Sequence, residues 1–232
     1  AINHVVDRRI DAVMNRTKHR PVSDGKVSPA YALMFAFLLG ASGLSMLAIV
    51  ANPLTAWLTF ASIIGYAVIY TLYLKRATPQ NIVIGGIAGA APPLLGWVAV
   101  TGSVDAHALL LVAIIFAWTP PHFWALCIAK KDEYAKAEIP MLPVTHGDEY
   151  TRLHMLLYTI LMVIVTVLPY LSGMSGVLYL LGVTAINARF LMLLKRHSDT
   201  KDSKDAMDLF WYSIRYIMWL FLFLLVDHFI PL

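Results

Sequence analysis

The sequence predicts an all-α fold, a polytopic helical bundle that lies in a membrane. The first observation behind this prediction is composition: of 232 residues, 59% are hydrophobic and 14% are charged, and the mean hydropathy is +0.69. Soluble domains are about 45–50% apolar and about 25% charged. The composition excludes a disordered chain and most soluble enzymes, and the single cysteine, Cys127, excludes an intramolecular disulfide. The other two observations are the length of the apolar segments and the placement of the cations.

The apolar residues lie in seven segments, each close to the roughly 20 residues that a helix needs to cross a bilayer. The segments are 30–50, 54–74, 80–100, 107–128, 153–171, 175–194 and 209–230. Tight turns, such as the one at Asn52 and Pro53, separate some of them. Longer polar stretches alternate with those turns, at 1–29, 129–152 and 195–208. The sequence therefore predicts seven membrane spans.

The positive charges are placed on one side of this bundle. Sixteen of the 18 Lys and Arg residues lie in the long polar stretches or in the 75–79 turn, and the short turns on the other side contain none. The other two, Arg189 and Arg215, lie near the ends of spans that meet the same side. By the positive-inside rule this side is cytoplasmic and the C-terminus is outside. We expect a bacterial inner-membrane protein, rather than a mitochondrial one, with no nucleic-acid partner despite the net charge of +4.

The chain opens with a polar segment in which Asn3, Asp7 and Asp11 recur every four residues. On a helix this spacing places the amide and the two carboxylates on one face. Oxygen ligands of this kind suit Mg²⁺, which is often shared with substrate phosphates. Arg16 and Arg20 follow closely. A guanidinium group can bind two phosphate oxygens at once through parallel N–H donors. The alternative is a surface helix whose charges neutralise one another through i,i+4 pairs, and the spacing alone does not separate the two interpretations.

A second set of polar residues lies at the end of the fourth predicted span. Pro120 and Pro121 predict that this helix breaks or kinks beside His122. A titratable ring at membrane depth indicates a functional site by default. Lys131 and Asp132 follow the span and offer a phosphate-binding cation and a second metal carboxylate. The alternative for His122 is a hydrogen-bonded histidine between helices, and the alternative for Asp132 is an interfacial ion pair.

Further features accompany these two sets. Lys75 and Arg76 end the second span, where they serve either as anchors at the membrane interface or as phosphate ligands. A run of small residues precedes Pro92 and predicts close helix packing. Aromatic side chains are concentrated near the cationic side: Tyr66, Tyr70, Tyr73, Phe116, Trp118, Phe123, Trp124, Trp211 and Tyr212. Most of them fit an interfacial belt, and a minority suit an apolar pocket that stabilises a carbocation through π faces.

Four motifs carry a resemblance to a known family. They are NxxxDxxxDxxMxRTxxRP from Asn3 to Pro21, LKRxTxxN from Leu74 to Asn81, GAAPPLLGW from Gly89 to Trp97, and WTPPHFWAL followed by DEYAKAEIPMLPV. On these motifs the chain resembles the haem O synthase (protohaem IX farnesyltransferase) branch of the UbiA-type intramembrane prenyltransferases. The repeat of Asn3, Asp7 and Asp11, called the acidic ladder below, is common to that superfamily. The PPH and IPMLPV blocks point to the haem branch. The specific match ends near residue 147, and the remainder matches only as hydrophobic pattern.

The resemblance implies an all-helical bundle of nine spans around a cavity that opens to lipid. It implies Mg²⁺ as cofactor, with the metal ligands Asn3, Asp7, Asp11 and Asp132, of which the three carboxylates are catalytic. It also implies a set of substrate-binding residues: Asn3, Arg16, Arg20, Lys75, Arg76, His122 and Lys131. His122 is the candidate haem-facing residue. Lys136 stands where many relatives carry a second acid of the Asp132 motif.

The reaction implied by the resemblance is transfer of the farnesyl group of farnesyl diphosphate to the vinyl group of haem B. The implied partners are these two substrates and membrane lipid, with a haem A synthase or an oxidase assembly factor as candidate protein partner. Two alternatives stay open: a UbiA-type enzyme that prenylates an aromatic quinone precursor, and a non-catalytic transporter or assembly factor. The sequence contains seven predicted spans, whereas the resemblance implies nine. We therefore expect residues 1–232 to form a single prenyltransferase domain that lacks the first span and most of the second.

Overall fold

The computed structural model describes residues 1–13, 17–74 and 77–230. Within these residues every regular element is helical, which confirms the predicted fold class. The α-helices, numbered in chain order, are α1 (Ile2–Val6), α2 (Arg8–Val13), α3 (Pro29–Met46), α4 (Pro53–Ile64), α5 (Asn81–Gly89), α6 (Pro92–Thr101), α7 (Ala106–Ala129), α8 (Lys131–Lys136), α9 (Leu142–Thr145), α10 (Gly147–Leu171), α11 (Val177–Thr200) and α12 (Ser203–Phe229). Two π-helical segments, Leu47–Ala51 and Gly65–Leu74, extend α3 and α4.

Seven stretches of helix in the described chain are long and apolar enough to cross a membrane, which confirms the predicted number. They are Pro29–Ala51, Pro53–Leu74, Asn81–Thr101, Ala106–Ala129, Gly147–Leu171, Val177–Thr200 and Ser203–Phe229. The last three extend by about two turns beyond the predicted apolar segments, all on the side that carries most cations. Hydropathy marks only the part of a helix that lies in hydrocarbon, and charged residues such as Lys and Glu continue a helix readily.

Polar caps set the start of two spans. Ser28 accepts a hydrogen bond from the backbone N–H of Tyr31, and Pro29 occupies the first turn of α3. Asn52 accepts from the backbone N–H of Thr55 at 2.8 Å at the start of α4. Such side chains satisfy N–H groups that the first turn of a helix leaves unpaired, and proline fits that turn because it has no N–H. The caps therefore fix the points where the chain enters these helices.

The prediction at Pro120 and Pro121 is a break or a kink, and the break is wrong. Helix α7 runs without interruption from Ala106 to Ala129, and both prolines are buried inside it against neighbouring helices. Spanning helices tolerate proline where neighbours and hydroxyl side chains compensate for the lost hydrogen bonds. Packing of α7 against α10 and α12 therefore outweighs the local preference of proline.

The third span consists of two helices, α5 and α6, which are separated between Gly89 and Pro92. Proline favours the first turn of a new helix over the interior of an old one. The small residues of α5 have the predicted packing role at two positions. A Cβ at Gly85 would lie 2.2 Å from the Tyr70 ring, and a Cβ at Gly86 would lie 3.2 Å from a side chain of α7. Glycine at these positions lets α5 approach the second and fourth spans.

The core lies where α7, α10, α11 and α12 pack together. Its largest fully buried side chains include Trp124 and Phe190. Hydrogen bonds also cross this core: the Tyr216 hydroxyl donates to Asn187 Oδ1 at 2.7 Å, and Asn187 Nδ2 donates to Thr166 Oγ1 at 3.0 Å. Polar groups at membrane depth need such partners, because lipid offers none. This chain of hydrogen bonds joins α10, α11 and α12.

Candidate active site

Helices α1 and α2 place the N-terminal acidic ladder, Asn3, Asp7 and Asp11, on one face. The backbone N–H of Asp7 donates to the Asn3 carbonyl, and that of Asp11 donates to the Asp7 carbonyl, both at 2.8 Å. The i,i+4 pattern therefore continues through the junction of the two short helices, as the spacing predicts. Asp7 and Asp11 are each only 3% exposed. The ladder is thus not the solvated surface helix of the alternative interpretation.

The ladder opens into a cavity of about 280 Å³. The walls come from the N-terminal segment, from the second, third and fourth spans, and from the loop after the fourth span. The lining side chains are Asn3, Asp7, Ile10, Asp11, Thr17, Arg20, Tyr66, Tyr70, Thr71, Ile82, Phe123, Tyr134, Ile139 and Met141. Acidic, cationic and aromatic groups from separate elements therefore meet in one space.

Arg20 pairs with the last residue of the ladder. Its Nη1 donates to both carboxylate oxygens of Asp11, at 3.1 and 2.9 Å. The guanidinium has the same planar match to phosphate as to carboxylate. The pair therefore presents an anion-binding group directly beside the oxygen donors of the ladder.

Thr71, from the π-helical part of the second span, holds the first residue of the ladder. Its hydroxyl lies 2.9 Å from Asn3 Oδ1 and 2.8 Å from the Tyr66 carbonyl, and donates toward both. An amide oxygen has two lone pairs, so one remains available to a cation. This contact orients the Asn3 amide toward the cavity that both residues line.

Four aromatic side chains line the same cavity: Tyr66, Tyr70, Phe123 and Tyr134. The rings of Tyr66 and Tyr70 are stacked, with centroids 5.4 Å apart. Gly85 leaves the space that the Tyr70 ring occupies. The face of an aromatic ring attracts a cation. The cavity therefore combines a polar end with an electron-rich wall.

His4 lies beside the ladder on α1. Burial and the nearby Arg20 guanidinium both lower the pKa of His4, because each disfavours the charged ring. Both effects favour the neutral form of the ring. Among the described residues that line the cavity, the cation is Arg20.

The donor set of the ladder fits a magnesium ion that is shared with a phosphate. Within residues 1–13, 17–74 and 77–230 no group of three His, Cys, Asp or Glu side chains converges. The ladder contributes two carboxylates and one amide oxygen, which is an incomplete set. Mg²⁺ commonly binds in such sets, because it keeps several waters and takes further oxygens from substrate phosphates.

The structure does not bring the second predicted acidic motif to the cavity. Asp132 is exposed on α8 and is not among the lining residues. Lys131, the predicted phosphate-binding cation beside it, donates to Asp148 of α10 at 2.9 Å and is not among the lining residues either. The residue of α8 that lines the cavity is Tyr134. A metal role for Asp132 stays a prediction that this arrangement does not favour.

His122 packs between helices and is not among the residues that line the cavity. Its ring lies between those of Trp118 and Phe210, at centroid distances of 4.3 and 4.7 Å. Its Nδ1 lies 2.6 Å from Ser213 Oγ. The structure therefore favours the hydrogen-bonded interhelical histidine over the haem-facing one. The next residue, Phe123, is the one that faces the cavity.

Of the predicted substrate-binding residues, the structure brings Asn3 and Arg20 into the cavity. Arg16, Lys75 and Arg76 lie outside the described residues. Their roles as phosphate ligands stay predictions.

Two residues that sequence reasoning missed complete the site. Thr71 is a hydroxyl in an otherwise apolar segment, and that departure is visible in the sequence. Tyr134 lies inside the charged run after the fourth span, in which Lys131 and Asp132 are the predicted site residues. Which face of α8 turns inward depends on tertiary packing, so no local signal marks this tyrosine.

Comparison with known proteins places these features in a family. The chain matches the model of the UbiA prenyltransferase family over residues 1–214. It is 61% identical over 229 residues to the protoheme IX farnesyltransferase of Marinobacter nauticus, and the match covers 99% of this chain and 76% of that protein. It is 62% identical over 234 residues to the protoheme IX farnesyltransferase of Azotobacter vinelandii, with coverage of 100% and 78%.

Two solved structures share the fold. A digeranylgeranylglyceryl phosphate synthase aligns with a TM-score of 0.80 and 19% identity, over 97% of this chain and 78% of that chain. The apo structure of a UbiA homolog from Aeropyrum pernix K1 aligns with a TM-score of 0.74 and 19% identity, over 98% and 83%. At this identity the likeness concerns the fold alone. The family match over most of the sequence, together with the identity to curated relatives, shows that the chain belongs to the UbiA prenyltransferase family.

Proposed function

We propose that this chain transfers the farnesyl group of farnesyl diphosphate to a vinyl group of haem B, which gives haem O and releases diphosphate. The identity to protoheme IX farnesyltransferases over the whole chain supports this choice of donor and acceptor. The observation that carries the chemistry is the single cavity in which Asp7, Asp11 and Arg20 meet a wall of aromatic rings. These groups suit a leaving diphosphate at one end and an allylic cation at the other.

Asn3, Asp7 and Asp11 are the residues that would hold Mg²⁺. The ion, when bound, supplies positive charge that stabilises the departing diphosphate. The two carboxylates lie one turn apart and are almost fully buried, so they repel each other in a weakly screened environment. Arg20 neutralises Asp11. The oxygen donors of the ladder, which line the cavity, support the assignment of a metal to this face.

Arg20 is the residue that would hold the diphosphate next to the ladder. Its pairing with Asp11 uses one guanidinium nitrogen, Nη1, and the group carries five N–H donors in all. Its remaining donors suit phosphate oxygens, and the ion pair keeps the side chain in place. The leaving group would thus be bound by a cation whose position is already fixed.

The aromatic wall would stabilise the cation that forms when the C1–O bond of farnesyl diphosphate breaks. The π faces of Tyr66, Tyr70 and Phe123 suit this role. The terminal vinyl carbon of haem B then attacks C1 and forms the new C–C bond. Water adds to the resulting cation and loses a proton, which yields the hydroxyethylfarnesyl group. This reaction needs no nucleophilic side chain, and Cys127 is fully buried in the core.

Two apolar cavities adjoin the site and offer room for the isoprenoid tail. One of about 320 Å³ shares Tyr70 with the catalytic cavity, and one of about 620 Å³ shares Asn3, Arg20 and Tyr66 with it. Aliphatic and small side chains of the first three spans form most of their walls. Burying a methylene contributes about 0.8 kcal/mol. Because an isoprenoid tail could be buried in these apolar spaces, they favour a prenyl diphosphate as the substrate rather than a small free anion.

The chain is an integral membrane protein by its seven apolar helices and its family. We place it in a bacterial inner membrane with the catalytic cavity on the cytoplasmic side. The support for this placement is the positive-inside rule, because the loops on the side of the ladder carry most of the Lys and Arg residues.

The test is an acceptor competition in detergent or in membranes. The chain is incubated with farnesyl diphosphate and Mg²⁺ plus either haem B or an aromatic quinone precursor, and the products are identified by mass spectrometry. We expect haem O, with one diphosphate released per haem O, and no prenylated aromatic. A prenylated aromatic alone would assign the chain to the other acceptor class. Absence of both products and of diphosphate release would contradict an enzymatic role.

A further inference from the structure

Two arginines lie inside the last two spans, on the outer surface of the bundle. Arg189 is in α11 and Arg215 is in α12, and both are exposed. At 1.5 Å per residue they lie about 18 and about 21 Å from Val177 and Phe229, the helix ends on the side opposite most cations. A hydrocarbon core is about 30 Å thick. The backbone of both arginines therefore lies within the apolar part of the membrane, in the half nearer the cationic side.

The two arginines flank one helix contact. The Tyr212 hydroxyl donates to the Ile186 carbonyl at 3.0 Å and joins α12 to α11. Arg215 follows Tyr212 by three residues, and Arg189 follows Ile186 by three, so each lies one turn from that contact. The two arginines are therefore neighbours on adjacent helices.

Neither arginine has an acidic partner in the part of the chain that the structure describes. By contrast Arg196, two turns further along α11, pairs with Asp205 at 2.6 Å. A charged group at membrane depth is costly unless it is paired or reaches the interface, and two like charges side by side repel each other. An anion that binds both guanidinium groups would remove both costs.

The surroundings of the pair are typical of a lipid-facing surface at headgroup level. Trp211 and Trp219 lie four residues before and four residues after Arg215, and they are 57% and 49% exposed. Tryptophan is enriched at the level where acyl chains meet headgroups. Small exposed residues precede Arg189 on α11 and leave the guanidinium accessible from the membrane.

This surface is separate from the catalytic cavity, because no residue that lines the cavity belongs to α11 or α12. Haem B also carries carboxylates, in its propionates, and is the competing anion. Its vinyl group must reach the farnesyl carbon beside the ladder, whereas the arginines face outward from the last two spans. A lipid anion therefore fits this position better than the acceptor does.

We propose that Arg189 and Arg215 form a binding site for the phosphate of an anionic phospholipid, with its acyl chains along α11 and α12. Guanidinium groups bind phosphate oxygens through paired N–H donors. Basic sites between spanning helices recognise lipid headgroups in this way. The exposed tryptophans on the same face of α12 supply the apolar contact for the chains.

The test is lipid binding to the full chain, delipidated in detergent and titrated with dioleoylphosphatidylglycerol or dioleoylphosphatidylcholine. Native mass spectrometry counts the bound lipids. We expect the anionic lipid to bind about 25-fold more tightly, since each arginine near a headgroup contributes about 1 kcal/mol, or about fivefold. Arg189→Gln/Arg215→Gln should reduce this preference to near unity. If that double variant does not fold, each single substitution should reduce the preference by about fivefold.

The matched control removes the same charge from the same two helices. Lys195→Gln/Lys204→Gln lies at the exposed cationic ends of α11 and α12 and should keep the preference. A preference that survives the arginine substitutions, or that falls equally in the lysine control, would overturn the proposal. A large excess of inorganic phosphate should not displace the lipid. Weaker binding of haem B in the arginine variant, with lipid binding unchanged, would assign the pair to haem and also overturn it.

Discussion

The N-terminal spans of this protein, the first to the third, and its C-terminal spans, the fourth to the seventh, are built differently. In the first span none of the most apolar 18 residues is buried, whereas half of those in Ala106–Ala129 are. The C-terminal spans share a core of large side chains crossed by hydrogen bonds, such as the one from Tyr216 to Asn187. The first span exposes most of its large apolar side chains, of which Phe37 is 73% exposed. The packing that stabilises the fold therefore lies mainly in the C-terminal spans.

The catalytic cavity lies at the boundary of these two regions. The charged groups Asp7, Asp11 and Arg20 come from the N-terminal region, which contributes little to the core. Phe123 and Met141 come from the well-packed fourth span and the loop after it. The charged groups of the proposed reaction and the packed core therefore belong to different parts of the chain. Substitutions should therefore separate activity from stability.

The largest effect should fall on activity. Asp11→Asn keeps the shape of the side chain but removes the charge that pairs with Arg20 and that the proposed metal site would use. We expect kcat for haem O formation to fall about 10²–10³-fold, with thermal unfolding in detergent nearly unchanged. The control is Asp132→Asn, on an exposed residue outside the cavity, which should change kcat by less than about twofold. Similar losses in both variants would show that the second motif shares the site.

The next effect should fall on stability in the C-terminal region. Asp227 of α12 is buried and accepts hydrogen bonds from the Ser175 hydroxyl and from the backbone N–H groups of Gly176 and Tyr179. It thereby caps α11 from a neighbouring helix. We expect Asp227→Ala to lower the free energy of unfolding by about 2–3 kcal/mol, measured by SDS titration in mixed micelles.

A second cap provides the control for Asp227. Asp105 accepts from the backbone N–H of His107 at 2.7 Å at the start of α7, but its side chain is half exposed and caps only its own helix. Asp105→Ala should lower the free energy of unfolding by about 0.5–1 kcal/mol. Equal losses at the two positions would show that burial between helices adds nothing to the cap.

A smaller effect is expected inside the C-terminal core. Tyr216→Phe removes the hydroxyl that donates to Asn187 at 2.7 Å and leaves the ring in place. Hydrogen bonds between spanning helices contribute about 0.6 kcal/mol on average and at most about 1.7, so we expect a loss of about 1 kcal/mol in the same titration. Tyr170→Phe, on a partly exposed residue of α10, should stay within about 0.5 kcal/mol. A larger loss at Tyr170 than at Tyr216 would contradict the role of the hydrogen-bonded core.

The smallest effect should fall on the first span. Leu38 is 59% exposed on α3, so Leu38→Ala removes few contacts. We expect the free energy of unfolding to change by less than about 0.5 kcal/mol. A loss above about 1 kcal/mol would show that this face of α3 is packed, and would remove the contrast between the two regions.

Sequence reasoning predicted the features that depend on local pattern. Seven spans follow from the length of the apolar segments, and the ladder of Asn3, Asp7 and Asp11 follows from the helical repeat. Both rest on residues close together in the chain, so no tertiary information is needed. Two of the small residues of α5, Gly85 and Gly86, have the packing role that the sequence predicts.

The features that depend on tertiary packing could not be predicted in this way. The prolines of α7 do not break the helix, because its neighbours stabilise it. His122 and Asp132 belong to motifs next to the cavity, but the rotation of α7 and α8 places Phe123 and Tyr134 there. A rotation of about 100° per residue decides which of two neighbours faces a site, and the sequence does not specify that rotation.

The central claim is that the acidic ladder promotes loss of diphosphate from farnesyl diphosphate with the help of Mg²⁺. The most direct measurement is diphosphate release and haem O formation with haem B across a Mg²⁺ titration, for the unaltered chain and for Asp7→Asn. We predict that both products rise together with Mg²⁺, vanish with a chelator, and are abolished by Asp7→Asn in a protein that remains folded. Equal release without a divalent cation, or unchanged release in Asp7→Asn, would contradict the claim.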